Sequence, residues 1–475
     1  RSRLVSADGG LHLGSEGAVH FGAEYRDTGA TNRAGPTSAS ASYNSTPADL
    51  ALNNHIVFAS GDPATINKSL FYIASLPVIG GEYEVYSFAT ANWRDTWGDA
   101  FFRYPGDPTN VPSIYPSGYR PVSEGVGRDA SVVAGLRSSV AGWKWDVSAR
   151  EGYNTFSYGL ANTLNASLGA SSPTTFHVAD FTYEERALNL DLARAVPVPA
   201  LSAPLDVSLG AEYMHESYHT SPGDPASYAA GPFTYDAAFG EAIPPGSQGD
   251  NGLSPQDVVH LARHVSSLYV DLDDDLTSRL LLGLAGRYSD YSDYGSSTTG
   301  KFEVRYKITE DFLVRGSASN SFRAPALAQE GIRITTLNFN TTGTRLQNTA
   351  FLPPTTRLAE ENGGLPLRPE TSMNYTAGFA WRGPASTSAT LDLYQIKIRN
   401  RITPTGNIPV SDPNYPDIAA VTFLTNGLDT TTRGFDVVLS HTHVLGGGEL
   451  KVSAAFNRNY VHQDALWTYP VSVDR

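Results

Sequence analysis

Hydrophobic and polar residues alternate along most of this chain, in segments of about 8 to 12 residues that stretches rich in Gly, Pro, Asn, Asp and Ser separate. The clearest segment, 301–308, puts apolar residues on one face of an extended strand and charged residues on the other. The apolar positions are Phe302, Val304, Tyr306 and Ile308, and the charged positions are Lys301, Glu303, Arg305 and Lys307. Such a strand belongs either to a solvated soluble sheet or to a barrel wall whose charges line a wet lumen.

The same alternation predicts further strands along the whole chain, roughly 14 to 16 in total. Clear examples are 17–26, 143–150, 186–194, 205–213, 435–439 and 450–457. No helix longer than a turn or two is predicted. In 389–399 the apolar residues change face between Leu393 and Tyr394, so we expect a β-bulge near residue 393.

The connections between these strands fall into two length classes. Those within 136–143 and 308–312 are tight, whereas five are long: about 27–80, 94–128, 219–262, 326–370 and 402–428. Short turns at one end and long loops at the other are typical of an outer-membrane barrel. A soluble sandwich seldom has five loops of more than about 15 residues. The pattern therefore favours an all-β membrane protein, a transmembrane antiparallel β-barrel, over a soluble all-β protein.

Composition narrows the class further. The chain has 475 residues, of which 40% are hydrophobic, and no apolar run reaches the roughly 18 residues of a membrane helix. A helical membrane protein is thus excluded, but a barrel is not, because only alternate strand residues face lipid. The 25 Tyr suit interfacial girdles and equally suit a soluble sheet. The absence of Cys excludes disulfide scaffolds and iron–sulfur clusters, and the net charge of −14 argues against nucleic-acid binding.

Two motifs resemble ligand sites but have simpler interpretations. GSSTTGKF at 295–302 lacks a hydroxyl after Lys301 and precedes a strand rather than a helix, so we interpret it as a Gly/Ser turn and not a phosphate loop. DLDDDL at 271–276 lacks the Gly and the closing Glu of an EF-hand, and we predict a short turn there.

Histidines provide no clear metal site either. His215 and His219 would lie ~13 Å apart on one face of a strand, while His260 and His264 end a predicted loop in which a short helix fits. No catalytic motif is present. We therefore predict no enzyme activity, no metal and no cofactor.

One predicted loop, 92–120, is rich in aromatic residues and arginine. Exposed aromatic rings beside guanidinium groups suit capture of an aromatic, sugar-like or anionic ligand, although the same cluster would also serve simply to fold the loop. The ligand-binding candidates are Trp93, Arg94, Trp97, Phe101, Phe102, Arg103, Tyr104 and Tyr115.

Four segments in order resemble motifs of TonB-dependent receptors. They are SFRAPAL (321–327), LRPETSMNYTAGFAW (367–381), LDLYQIKIRNRI (391–402) and TNGLDTTTRGFDVVLS (425–440). The motif residues in the first two are Phe322, Arg323, Ala324, Pro325, Pro369 and Glu370. Segments 21–35 and 142–176 also resemble barrel segments of this family, so the likeness covers most of 14–460.

The resemblance implies a 22-stranded barrel in the outer membrane of a Gram-negative bacterium. It also implies an N-terminal plug and energy relayed by TonB. On this basis residues 1–475 are expected to be a partial barrel domain that lacks the plug and the C-terminal closing strands. Expected partners are outer-membrane lipid, the TonB complex and a small-molecule or metal-chelate ligand, with no nucleic acid.

The ligand that the resemblance implies is a scarce nutrient, and a ferric siderophore is the commonest. Haem receptors of the family carry an Asn-Pro-Asn-Leu box where this chain has NGGLPLRPE (362–370), which disfavours haem. Alternatives are an oligosaccharide or cobalamin receptor, a passive porin-like or adhesin barrel, and a soluble all-β binding protein.

Overall fold

The structure is a computed structural model that describes residues 2–14, 16–38, 45–236, 241–339, 346–384, 386–416 and 418–466. Its strands, in chain order, are β1 (Ser2–Leu13), β2 (Gly17–Thr28), β3 (Ala64–Val78), β4 (Tyr83–Asp99), β5 (Val122–Val140), β6 (Trp143–Ala161), β7 (Phe176–Val196), β8 (Leu205–Pro222), β9 (Tyr235–Asp236), β10 (Glu241–Ala242), β11 (His260–Asp275), β12 (Leu280–Tyr291), β13 (Gly295–Thr309), β14 (Phe312–Arg323), β15 (Ile334–Phe339), β16 (Leu346–Leu352), β17 (Glu370–Gly383), β18 (Thr387–Pro404), β19 (Ile408–Pro409), β20 (Ala420–Leu445) and β21 (Gly448–Leu466). The helices are α1 (Pro47–Leu50), α2 (Pro225–Tyr228), α3 (Leu327–Gly331) and α4 (Arg357–Glu360), with a 3₁₀ helix at Ala166–Ser171. No helix in the described ranges has both the length and the apolar character needed to cross a membrane.

The long strands form one antiparallel meander. Strands β1 to β8 pair in sequence, β8 pairs with β11, and β11 to β14 continue the row. Strand β14 then pairs with β17, and β17, β18, β20 and β21 complete it. With β15, β16 and β19 this makes a 19-stranded sheet. Strands β1 and β21 are its two edges and are not paired with each other over the described residues, so the sheet is open there.

The connections alternate in length, as predicted. At the turn end of the wall they are short: 14–16, 79–82, 141–142, 197–204, 276–279, 310–311, 384–386 and 446–447. At the loop end most are long: 29–63, 100–121, 162–175, 223–259, 324–369 and 405–419, with 292–294 the short exception. The expected all-β barrel wall is therefore confirmed.

One face of this wall is polar and concave. Tyr86 on β4 donates to Asp146 on β6 at 2.7 Å, passing over β5. Arg315 on β14 donates to both carboxylate oxygens of Asp392 on β18 at 2.9 and 2.6 Å, passing over Gly378 of β17. Side chains that are two strands apart converge only on the inside of a curved sheet. These contacts therefore identify the polar face as the inner one.

Strand β13 has the two faces that its sequence predicts. Apolar side chains lie exposed on the convex face, including Phe302 (44%), Tyr306 (42%) and Ile308 (45%). On the concave face Lys301 forms an ion pair with Glu303, and Arg305 lies 3.3 Å from Asp275. A wall with large apolar side chains outside and charges inside fits a bilayer and not a soluble sheet.

At the loop end, β15, β16 and β19 associate with the start of β20. Strand β16 runs parallel to β20, and β19 pairs antiparallel with the same segment. A hydrophobic cluster joins them, formed by Ala350, Leu352, Leu358, Ala359, Ile408, Val421 and Phe423. The connection 324–369 is thereby fixed over the end of β20.

Two predicted loops are too long. The range 27–80 contains the whole of β3 (Ala64–Val78). Leu70 faces outward and its neighbour Phe71 faces inward, so this strand is apolar on both faces and shows no alternation. The loop predicted at 94–128 is reduced to 100–121, because β4 and β5 both extend beyond the alternating part of their sequences.

Four local predictions are also wrong. The acidic segment 271–276 is not a turn, because all but its last residue belong to β11, whose inward carboxylates lie among the charges of the concave face. His260 and His264 belong to the same strand and not to a loop or a helix. The Gly/Ser segment 295–302 is the first half of β13. The β17–β18 pairing is regular at Leu393, and the register shift of β18 instead lies between Ile398 and Arg401.

The bridge from Arg315 to Asp392 crosses Gly378, so we predict that a larger residue at this position destabilises the fold. A Cβ on Gly378 would collide with Asp392 and with the carbonyl oxygen of Leu391. We expect Gly378→Ala to lower the free energy of unfolding by about 1–3 kcal/mol. The readout is the temperature at which the folded protein in detergent loses its compact migration on a gel. Gly286→Ala is the matched control, because its Cβ would have no neighbour closer than 3.9 Å. Equal transition temperatures for the two variants would contradict the prediction.

Candidate functional site

A cleft of about 900 Å³ lies on the concave face, near the loop end of β2 to β6. Its polar side chains occupy alternate positions of these strands, all of which face inward. They include Glu24, Arg26, Asn67, Asn92, Arg94, Asp129 and Asn154, and Phe156 and Tyr158 form one side.

Of the two cations whose side chains point into this cleft, Arg26 and Arg94, Arg94 is the one that no carboxylate neutralises among the described residues. Arg128 also borders the cleft, but its side chain points to the convex face. Its Nε donates to Oδ1 of Asn67 at 2.6 Å. Arg26, in contrast, lies 3.4 Å from the carboxylate of Glu24 on the same strand. The cleft therefore presents one guanidinium group that is available to an anion from solution.

Aromatic rings close the cleft toward the loops. Phe156 stacks near Tyr158 and Phe181, with ring centroids 6.1 and 6.4 Å apart. The Tyr158 hydroxyl donates to the carboxylate of Asp250, which belongs to connection 223–259. Burial raises the pKa of Asp250 above its usual range. This contact ties a long loop to the rim of the cleft.

The structure separates the residues predicted to form a ligand-binding loop. Trp93, Arg94 and Trp97 lie on β4 and not in a loop, which corrects their predicted position. Strand parity turns Arg94 inward and the two tryptophans outward, as the pairing of Arg94 with Asn67 and of Trp93 with Lys68 shows. Of the predicted set, Arg94 alone lines the cleft with its side chain.

The other predicted residues belong to connection 100–121. Arg103 and Tyr104 are only 3% and 5% exposed, and the Tyr104 hydroxyl is 2.7 Å from that of Thr37. Tyr115 stacks on Tyr119 at 4.5 Å, and burial raises the pKa of both phenols.

These contacts fold the loop. Phe101, at 63%, is the most exposed aromatic ring of the predicted set, and Phe102 packs edge-on against Tyr104 at 5.3 Å. Their role in ligand binding stays a prediction.

Sequence reasoning missed Arg26, Asn92, Phe156 and Tyr158, because their convergence depends on the pairing of five strands. It also missed a histidine pair on the convex face, where the ring nitrogens of His215 and His264 are 3.2 Å apart. Throughout the part of the chain that the structure describes, no three His, Asp or Glu side chains come together as a metal site would require.

A family model named "TonB dependent receptor-like, beta-barrel" matches residues 71–473. The chain belongs to the TonB-dependent receptor family. Solved receptors have the same fold at low sequence identity. The siderophore receptor PirA from Pseudomonas aeruginosa is 13% identical with a TM-score of 0.60, and the match covers 98% of this chain and 63% of that one.

Two further solved structures agree. The outer membrane transporter YddB from Escherichia coli is 11% identical with a TM-score of 0.65, and the match covers 97% of this chain and 55% of that one. A mutant of the ferric enterobactin receptor PfeA from P. aeruginosa is 12% identical with a TM-score of 0.60, and 96% of this chain covers 59% of it. The chain thus spans between 55% and 63% of these receptors. It matches none of the curated proteins with which it was compared.

The residues that resemble family motifs lie at the root of the longest connection, 324–369. Phe322 and Arg323 end β14, Ala324 and Pro325 follow in the connection, and Pro369 precedes β17. Arg323 pairs in register with Glu370, with 3.8 Å between their charged groups. Glu370 also accepts the backbone N–H of Ile402 at 2.8 Å, so it joins three strands.

A buried arginine holds the same root to the wall. Arg263 on β11 forms an ion pair with Glu216 on β8, and both side chains are almost fully buried. Its Nη1 donates to the carbonyl oxygen of Pro325 at 2.7 Å and lies 3.4 Å from Asp293. Removal of one partner from such a network would leave an uncompensated buried charge. The backbone carbonyl of Pro325 is thus an anchor point for the connection 324–369.

We expect Glu330 on α3 to make this anchor dependent on pH. Burial, with Asp293 nearby, raises the pKa of Glu330 to about 7, although Arg263 acts in the opposite direction. A raised pKa means that the folded loop holds a proton that the unfolded loop releases. Its contribution to stability is fully present below the ordinary value of 4.5 and is lost as the pH rises through about 7.

We therefore expect α3 to be held less firmly at about pH 8 than at about pH 5.5. Hydrogen–deuterium exchange of the amides in 326–332, corrected for the intrinsic rate, measures this difference. Glu330→Gln should abolish the pH dependence. Glu360→Gln, which alters an exposed carboxylate in the same connection, should retain it. A pH dependence that survives in Glu330→Gln would rule out Glu330 as its source.

Proposed function

We propose that this chain is the barrel wall and outer loops of an outer-membrane receptor for TonB-dependent import of a ferric siderophore. The observation that carries the proposal is the inward cleft beneath the loops, where an unneutralised guanidinium lies near a wall of aromatic rings. Anionic chelates with aromatic or amide groups complement such a surface. Solved receptors with the same fold include two whose names specify a siderophore or ferric enterobactin.

Entry would proceed along the concave face. Lys301, Glu303, Arg305 and Lys307 on this face would line a hydrated lumen, with the apolar convex face in the lipid. Energy from TonB would act through a plug inside the wall. Passive porin-like or adhesin function, and import of an oligosaccharide or cobalamin, remain as outcomes of the tests below.

The first test is growth of a deletion strain under iron limitation, with and without the full receptor as it is encoded. Ferric catecholates, ferric hydroxamates, cobalamin and oligosaccharides are supplied separately. We expect rescue by at least one ferric chelate, and only when TonB is present. Rescue by a sugar or cobalamin alone would replace the proposed ligand, and rescue without TonB would favour a passive pore.

The second test locates the ligand. Arg94→Gln removes the guanidinium that no carboxylate neutralises and should weaken binding of the growth-promoting chelate by about tenfold or more, the usual effect of losing a charged hydrogen bond. Asp95→Asn, the next residue on the same strand with its side chain on the convex face, is the matched control.

Among the candidates in connection 100–121, Phe101 has the most exposed ring. Phe101→Ala should weaken binding of the chelate less than Arg94→Gln does, because the Phe101 ring projects into solvent outside the cleft. Binding that falls with Trp93→Phe or Trp97→Phe and not with Arg94→Gln would contradict the cleft assignment.

A further inference from the structure

The convex face carries a groove of about 990 Å³ across β1 to β6. Small residues make its floor, among them Ala89, Ala91 and Ala130. Larger apolar side chains make its sides: Phe21, Leu70, Val132 and Tyr153. The side chains at these positions all point away from the concave face, because they alternate with the inward residues that line the receptor's cleft. The groove is therefore open to whatever surrounds the wall.

Two cations lie directly beyond this groove, toward the loop end. Lys68 on β3 and Arg128 on β5 both pair in register with Trp93 on β4. They are about 10 Å apart at the backbone, which is two strand spacings, and about 7 Å along the strands from the floor of the groove. Both are exposed, and neither forms an ion pair with any described residue. Asp95, the next outward carboxylate on β4, lies one strand step further from the groove.

The position of Lys68 and Arg128 on the apolar convex face indicates what these two cations bind. A charged side chain on a lipid-facing surface is costly at the bilayer centre and favourable where its head reaches the phosphate layer. Outward Tyr25 and Trp93 lie in the same row as the two cations, as expected for the aromatic belt at a membrane boundary. Arg186 and Glu151, near the other end of the groove, neutralise each other, because Arg186 Nε is 3.2 Å from Glu151. The outward carboxylates Asp27 and Asp95 lie one row further toward the loops than the two cations.

From these observations we propose that the groove is a binding site for a phosphate-bearing lipid of the outer leaflet. Lys68 and Arg128 bind the headgroup phosphate, and an acyl chain lies on the alanine floor between Leu70 and Val132. This site rests on the proposed location in the outer membrane and is independent of the imported ligand. A second copy of the chain fits less well, because a symmetric partner would bring further cations to face Lys68 and Arg128.

The experiment uses the full receptor in a mild detergent and native mass spectrometry with three probes. Phosphatidic acid carries both chains and phosphate, diacylglycerol carries the same chains without phosphate, and inorganic phosphate carries no chain. We expect phosphatidic acid to bind about tenfold more tightly than diacylglycerol, and inorganic phosphate not to be retained.

Two kinds of variant separate the two parts of the site. The double variant Lys68→Gln/Arg128→Gln should weaken binding of phosphatidic acid by about tenfold, to the affinity of diacylglycerol. Ala130→Phe fills the groove and should weaken binding of both lipids.

The matched controls are Lys397→Gln/Arg399→Gln, two outward cations on β18, and Ala377→Phe, an outward alanine on β17. Each control should stay within about twofold of wild type. Unchanged heat-modifiable migration would show that each variant folds.

Several outcomes would overturn the proposal. Equal losses in the groove and control variants would mean nonspecific attraction, and retention of inorganic phosphate with no effect of Ala130→Phe would mean a headgroup contact without a groove. A receptor dimer that disappears with Ala130→Phe would assign the groove to a second copy. Membrane fractionation and chelate-dependent growth test the proposed function separately. A receptor that is found in the outer membrane and imports its chelate, but does not prefer phosphatidic acid, would contradict only the lipid site.

Discussion

The backbone hydrogen bond between neighbouring antiparallel strands is the interaction on which this molecule depends. A bilayer offers no water to backbone N–H and C=O groups, so each strand must be satisfied by the next one. The β5–β6 ladder, unbroken from Val122 opposite Ala161 to Val140 opposite Trp143, shows how completely this is met. Pairing of this kind also commits alternate residues to opposite faces. For that reason Arg94 points into the cleft while its neighbour Trp93 points outward.

Inside the wall, polar side chains take the place of a hydrophobic core. Bridges such as Tyr86 to Asp146 and Arg315 to Asp392 span three strands, and the sheet curves toward them. Apolar clusters appear instead at the loop end, where connections fold over strand ends. Buried polar contacts fasten these loops, as between Arg263 and Pro325 and between Tyr158 and Asp250. Through the contact of Tyr158 with Asp250, the geometry of the cleft depends on connection 223–259 as well as on the wall.

The two proposed binding sites use opposite faces of the same few strands. Strands β2 to β6 present polar and aromatic groups to the cleft and an apolar groove to the outside. Only the thickness of one sheet separates them, yet no side chain is shared, because strand parity assigns each residue to one face. A lipid held in the groove would stabilise the strands that carry Arg94 without contact with the imported ligand. The anchoring of 324–369 through Arg263 lies on other strands and is a separate device.

The sequence by itself determined the strand class, the polarity of the two faces and the alternation of short and long connections, because a period of two is a local property of the chain. Family motifs added the receptor assignment. The alternation pattern missed β3, where Leu70 and Phe71 are apolar on opposite faces, and it placed the start of the loop after β4 too early. Only the tertiary structure brought Arg263 to Glu216, Arg94 to Asn67 and His215 to His264. Periodicity tells which face a residue occupies, but the register between strands that are distant in sequence decides which residue lies opposite it.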